Sequence, residues 1–374
     1  MKRICLFLAL LFSCSVSASA ISLSAPAACL MEKTTGTVIF AQNEHASLPP
    51  ASVTKVMTLL LIMEAIDGGT LSYDDPVTAS AYASSMGGSQ IWLKEGETMT
   101  VEELLKAISV VSGNDASVAM AEHLAGSEDA FVKKMNQRAK ELGMKDTHFV
   151  NCTGLPAAGH VTSAYDIALM SRELILNHPD IRRFTTIWMD SLRNGASSLV
   201  NTNKLIRFYE GATGLKTGST DEAGYCLAAT AERDAMELIA TVLKGETSQA
   251  RFDDAKIMLD HGFAAYTLLS VAPAEPIPPL QVTLGSKSTV QPVLSGSGAL
   301  LLEKEKAATV TTHLTLPENV KAPVAEGDTL GELTAEYNGE ILAQIPIVAG
   351  ESVGKLTLWQ LFLYMLQGSF PFEG

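Results

Sequence analysis

Basic residues are in short supply in this chain: Lys and Arg number 27 against 41 Asp and Glu, a formal net charge of -14 over 374 residues. A surface that neutralises phosphates needs the opposite balance, so nucleic-acid binding is excluded as a function class. Cysteine is sparse as well, at five, and Cys5 and Cys14 fall in an N-terminal segment read below as removable. The remaining Cys29, Cys152 and Cys226 are odd in number and far apart, which excludes a disulfide framework and suits buried small hydrophobes. The seven histidines form no His-Glu-x-x-His pair and no Cys-His cluster, so neither a metal site nor another cofactor is expected. No apolar run reaches the ~20 residues of a membrane span. Aromatics make up only 6%, yet 47% of the chain is hydrophobic and 18% charged, which excludes disorder and supports one large core and a smaller one.

Lys2 and Arg3 precede an apolar run over 4–12, and Ala18-Ser19-Ala20 offers a small-x-small cleavage site. Residues 1–20 therefore read as a cleaved secretory signal. Hairpin strands are expected over 29–32 and 37–41, and a helix, apolar nearly all round and hence buried, over 52–68. Further helices are expected over 100–111, 115–125, 127–142 and 163–176, the last capped by Ser163. Apolar runs over 225–231 and 236–243 predict an antiparallel hairpin, followed by a helix over 248–262. Strands at both ends with helices between imply a sheet closed by its two chain termini, an α+β class.

Pro273, Pro276, Pro278 and Pro279 are too dense for a helix or a central strand and mark a linker over 269–279, bounding a first domain over 21–268. Beyond it, alternation over 310–316 and a hairpin turning on Asn338-Gly339 predict an all-β domain over 280–354. The tail over 355–374 carries Thr357, Gln360, Tyr364 and Gln367 as a polar stripe on an otherwise apolar helix. That pattern fits a helix lying in a membrane interface, or one docked on the β domain or another subunit.

Three short motifs stand in order: Ser52-Val53-Thr54-Lys55, Ser112-Gly113-Asn114 and Lys216-Thr217-Gly218. Singly they are weak, since a Ser and a Lys three apart arise by chance about once or twice in a chain of this length. Together they pose a definite chemistry. A serine hydroxyl needs a base to become nucleophilic, and Ser52 and Lys55 at i and i+3 share one helix face. Lys55 must be neutral to act, and burial with a second cation nearby, which Lys216 could provide, would lower its pKa. The helix start and the N–H of Ser52 would favour an oxyanion.

In context these motifs resemble a family. Pro50-Ala51-Ser52-Val53-Thr54-Lys55-Val56-Met57-Thr58, the segment 151–155 followed by Thr162-Ser163-Ala164-Tyr165-Asp166, and Gly214-Leu215-Lys216-Thr217-Gly218-Ser219-Thr220 followed by Ala223-Gly224 are similar to the serine D-alanyl-D-alanine carboxypeptidases among the low-molecular-mass penicillin-binding proteins. The resemblance covers nearly the whole chain, β domain and tail included. It implies a penicillin-binding, β-lactamase-like transpeptidase fold and removal of the terminal D-alanine from peptidoglycan stem peptides. It makes Ser52 the acylated nucleophile, Lys55 its base and Ser112 the relay to the leaving amine, with Asn114 on the acyl-side amide. It puts Lys216 and Thr217 on the facing strand, has Gly218 admit the substrate backbone, and completes the oxyanion hole with the N–H of Ser219. Arg251 resembles the arginine aimed at the substrate carboxylate. β-Lactams are implied as inhibitors.

Two departures are visible: Cys152 stands where proline is common, and Cys226 lies on the strand beside the site. Glu173-Leu174-Ile175-Leu176-Asn177 mimics the Glu-x-x-Leu-Asn of class A β-lactamases, but Ile167, Met170 and Leu174 run a helix through it, so Glu173 is expected on a helix surface. The rival activities are a D,D-endopeptidase cutting crosslinks and a non-catalytic wall-associated protein. Intact Ser52, Lys55, Ser112, Asn114 and Lys216 argue against the latter.

Overall fold

Alternate side chains of β1 (Ala27–Glu32) are committed to two different cores, and this decides the layering of the first domain. Cys29 and Met31 face one cluster of buried residues, Ala28 and Leu30 the other. A strand buried on both sides reads as a continuous apolar run, which is why sequence alternation is absent here. The computed structural model describes residues 21–359 and Phe362; the expected signal over 1–20 lies outside these. β1 pairs with β2 (Val38–Gln42) and with the returning strand near the domain's end, and the full order is β2-β1-β5-β4-β3, antiparallel throughout. Here β3 is Ala212–Thr220, β4 is Gly224–Arg233 and β5 is Met236–Gly245.

On one face lies the larger core, built on α1 (Lys55–Asp67), α2 (Val101–Val110), α3 (Asn114–Ala125), α4 (Glu128–Glu141) and α5 (Ala164–Asn177). Their starts are set locally: Thr100 and Glu103 form a capping box, and Ser127 and Ser163 cap α4 and α5. On the other face α6 (Ser248–Ala265) packs through Phe252, Ala255, Met258, Leu259 and Phe263. The helices and hairpins expected over 29–262 are present, whereas the expected tail helix falls mostly on 360–374, outside the described residues apart from Phe362. One detail differs at the first helix, because its opening turn, Ala51–Thr54, is a 3-10 turn and the α-helix begins at Lys55. A hairpin of Met189–Leu192 with Ser197–Val200 carries too short an apolar pattern to be seen in sequence.

The second unit is a β domain with a three-stranded and a four-stranded sheet among the described residues, each over its own small core. Its long hairpin, Thr329–Tyr337 with Glu340–Ala349, turns on Asn338 and Gly339 at φ 50° and 83°. The junction differs from the expected linker. Tyr266–Ser270, directly after α6, pairs with Ala299–Glu303, so the chain joins the second unit's strands ahead of the prolines. At the other end Lys355 bridges to Gly285 and the Leu356 N–H donates to Leu284 O, so these two residues belong to the β domain and not to the tail.

Candidate active site

β3 is the edge strand of the five-stranded sheet, and against this edge the first domain stacks the turn 51–54. Position 218 decides how closely strand and turn meet. A Cβ there would lie 2.7 Å from Ser52 N and 2.9 Å from Val53 N. The expected reason for Gly218, admission of the substrate backbone, is therefore corrected: the absent side chain points at the turn bearing Ser52. The turn is braced from behind as well. Ala51 adopts φ 48°, and a Cβ on Gly154 would come within 1.8 Å of Ala51 O.

Lys55 is fully buried, and its Nζ meets three acceptors: Ser52 Oγ at 3.0 Å, Asn114 Oδ1 at 2.6 Å and the Thr153 carbonyl at 2.7 Å. An ammonium has three donors, a neutral amine two and a lone pair. With the two shorter contacts taking the two N–H groups, the lone pair faces Ser52. Burial lowers the Lys55 pKa to about 7, opposed only in part by Cys152 and Asp115. Lys216, equally buried, donates to the Thr217 carbonyl at 2.9 Å. Burial holds it well below the ordinary lysine range, and repulsion from Lys55 and Arg251 lowers it further.

The remaining expected residues fall around this pair with differing degrees of engagement. Asn114 Nδ2 donates to Gly87 O and its backbone N–H to Ser89 O, both at 2.7 Å. Ser112 adopts φ 64°, and its buried Oγ has no hydrogen-bond partner among the described residues, so it is joined to neither lysine. Thr217 Oγ1 meets Thr202 Oγ1 at 2.7 Å, and Thr202 N–H in turn donates to Val110 O at the end of α2. Ser219 is exposed toward the end of β3.

Arg251 departs most from expectation. Rather than projecting into the cleft, it backs β3: Nη1 donates to Gly218 O at 2.9 Å and Cys226 O at 3.2 Å, and Nη2 to Ser248 Oγ at 3.3 Å. Tyr225 and Phe252 flank the guanidinium, and its buried Nε has no partner among the described residues.

Sequence reasoning missed Thr153, whose backbone carbonyl does the work, and His160. The His160 Nδ1 accepts the Val150 N–H at 3.0 Å, which leaves the proton on Nε2 to donate to Thr54 Oγ1 at 2.8 Å. Thr54 Oγ1 passes the contact to Ala51 O at 2.9 Å. Cys152 and Cys226 are buried free thiols, and burial raises both. Glu173, on α5, pairs with Arg138 at 2.6 Å, remote from Ser52 in the fold, so the β-lactamase decoy is dismissed by position. The same Arg138 supplies the counter-charge to Glu64, and His178 meets Asp67, so Glu64, Glu173 and His178 each have a partner within the protein.

Residues 14–247 match the family described as D-alanyl-D-alanine carboxypeptidase, and residues 275–355 match the C-terminal domain of penicillin-binding protein 5. The chain is 44% identical over 336 residues to the D-alanyl-D-alanine carboxypeptidase DacF of Bacillus subtilis, covering 88% of this chain and 86% of the relative. The structure is similar to penicillin binding protein 5 of Haemophilus influenzae, with a TM-score of 0.79 and 28% identity over 90% of this chain and 99% of that one. It is also similar to penicillin-binding protein D2 of Listeria monocytogenes in its ampicillin-bound form, with a TM-score of 0.60 and 35% identity over 65% of this chain and 99% of that one.

Proposed function

Because the chain belongs to the D-alanyl-D-alanine carboxypeptidase family, a family of serine hydrolases, we propose that its reaction runs through an acyl-enzyme on Ser52, with Lys55 as the base. The observation that carries this reading is the 3.0 Å contact between Lys55 Nζ and Ser52 Oγ, made by a fully buried lysine held near pKa 7. Ser52 Oγ attacks the carbonyl of the penultimate D-alanine while its proton passes to Lys55. The N–H groups of Ser52 and Ser219 hold the oxyanion. As the C–N bond breaks, the proton travels through Ser112 to the departing amine, and D-alanine leaves. Water then attacks the ester, giving up a proton to the same base, and the shortened stem departs with Ser52 restored. Asn114, Lys216 and Thr217 line the path of the substrate, while Gly218 lets β3 close on the turn that bears Ser52. Arg251, through its hold on Gly218 O and Cys226 O, positions the strand edge along which the substrate lies. A penicillin, as a cyclic acyl donor, takes the same serine.

The finer localisation belongs to the same proposal. Residues 1–20 act as a cleaved leader, and the tail holds the enzyme to a membrane surface. In its support, Leu358 and Trp359 are 88% and 67% exposed, with Trp359 stacked on Phe362. Among the described residues no helix is long and apolar enough to cross a membrane.

The test of the acyl-enzyme is Ser52→Ala. The variant should fold, release no D-alanine from a peptide ending in D-Ala-D-Ala and take no covalent label from a fluorescent penicillin. Label that persists in the variant, mapped by mass analysis, would sink the assignment.

A further inference from the structure

Trp92 is a large apolar side chain that the fold spends contacts to keep in solvent. It is 74% exposed and sits at φ 56°, a region that bulky residues rarely adopt. The strain is imposed by its neighbours. The N–H groups on either side, of Ile91 and Leu93, both donate to the carboxylate of Asp115, at 3.0–3.1 Å, and Asp115 is fully buried at the start of α3 beside Asn114. From the other side Arg193, in the turn of the 189–200 hairpin, donates to Ile91 O at 3.0 Å and to Glu97 at 2.6 Å. A loop clamped from two sides presents its indole as a fixed platform.

Below the platform lies a cavity of about 300 Å³ between the loop and the hairpin, with Ser89, Gln90, Ser197 and Ser198 among its lining residues. This cavity continues the active-site wall, because the same loop supplies Gly87 O and Ser89 O to Asn114. An indole face with hydroxyl and amide groups beside it is chemistry suited to a pyranose ring, whose C–H face meets the π-surface while its hydroxyl and acetamido groups find polar partners. The lengths agree. Four stem residues between the scissile bond and the sugar span at most about 14 Å when extended, and the five steps from Gly87 to Trp92 at most about 18 Å.

Resting on the acyl-enzyme reading, we propose that Trp92 and this cavity form a sugar subsite that engages the glycan strand from which the stem peptide hangs. The enzyme would then favour stems still attached to their amino sugars over free peptides.

The experiment compares kcat/KM for a disaccharide-pentapeptide with that for an N-acylated tripeptide ending in D-Ala-D-Ala, in wild type, Trp92→Ala and Trp92→Phe. The ratio of the two values should fall about five- to tenfold in Trp92→Ala and be largely kept in Trp92→Phe, as expected for loss and retention of an aromatic face. The rate of penicillin acylation reports an intact centre in each variant. A ratio unchanged in Trp92→Ala, including an equal loss on both substrates, would mean that the residue only braces Asn114, and the subsite would be rejected. Wild type that takes no label on Ser52 would overturn the acyl-enzyme reading and the subsite with it.

Discussion

Lys55 owes its neutral form near pH 7 to burial more than to its neighbours. The acceptors around it, Asn114 Oδ1 and the Thr153 carbonyl, steady the charged form, yet loss of water prevails and brings the pKa to about 7. The base is the unprotonated amine, so penicillin acylation should climb with pH, lose about tenfold for each unit well below 7 and level off above it. Measured acylation rates that stay flat between about pH 5 and 9 would remove Lys55 as the titrating base. Gly218 illustrates a different residue-scale lesson. Its role is set by a missing side chain, since any Cβ would drive the strand away from Ser52. Arg251 likewise acts through the backbone it grips, tying the carbonyls of Gly218 and Cys226 together across β3 and β4.

The segment 150–160 is the element on which the nucleophile turn leans. Asn151 Oδ1 accepts the N–H groups of Thr153 and Gly154, which aims the Thr153 carbonyl at Lys55, while His160 reaches Thr54 and through it Ala51. Burial, with a smaller push from His148, holds the His160 imidazole at about 4 against an ordinary value of 6.5. Between those values the unfolded chain takes up a proton that the folded one resists, so stability is whole above pH 6.5 and lost as pH falls toward 4. The loss amounts to at most about 3 kcal/mol. His160→Gln should flatten that part of the acid sensitivity, read as urea midpoints at pH 7, 5 and 4. Midpoints that fall in parallel in both proteins would assign the loss to other groups.

At the scale of the whole molecule the catalytic domain is followed by a β domain and an apolar tail. Because Lys355 and Leu356 are held by the loop at Leu284 and Gly285, the tail is best cut after Thr357. Deleting 358–374 should abolish sedimentation with lipid vesicles and leave hydrolysis of a soluble peptide intact. With only Lys355 near the polar stripe, salt alone should release little of the full-length protein. Full-length protein that fails to sediment, or a deletion that unfolds the β domain, would instead mean that the helix docks on protein.

Chemistry was legible in the linear sequence wherever it depended on short spacing. Ser52 and Lys55 lie one turn apart, so their contact follows from local geometry, and the caps Thr100, Ser127 and Ser163 mark helix starts for the same reason. The division into a mixed first domain and a β domain followed from period, since an apolar repeat of three and four and an alternation of two survive without tertiary context. What no spacing could reveal were contacts made by backbone or across long separations. The carbonyl of Thr153 lies 98 residues from Lys55, His160 lies 106 from Thr54, and Arg251 turns its donors to a strand 33 residues away. Carbonyls carry no residue-type signature, and a buried histidine or arginine looks the same in sequence whatever it grips. Tertiary structure alone decided those partners, because only the packed chain determines which acceptor each buried donor meets.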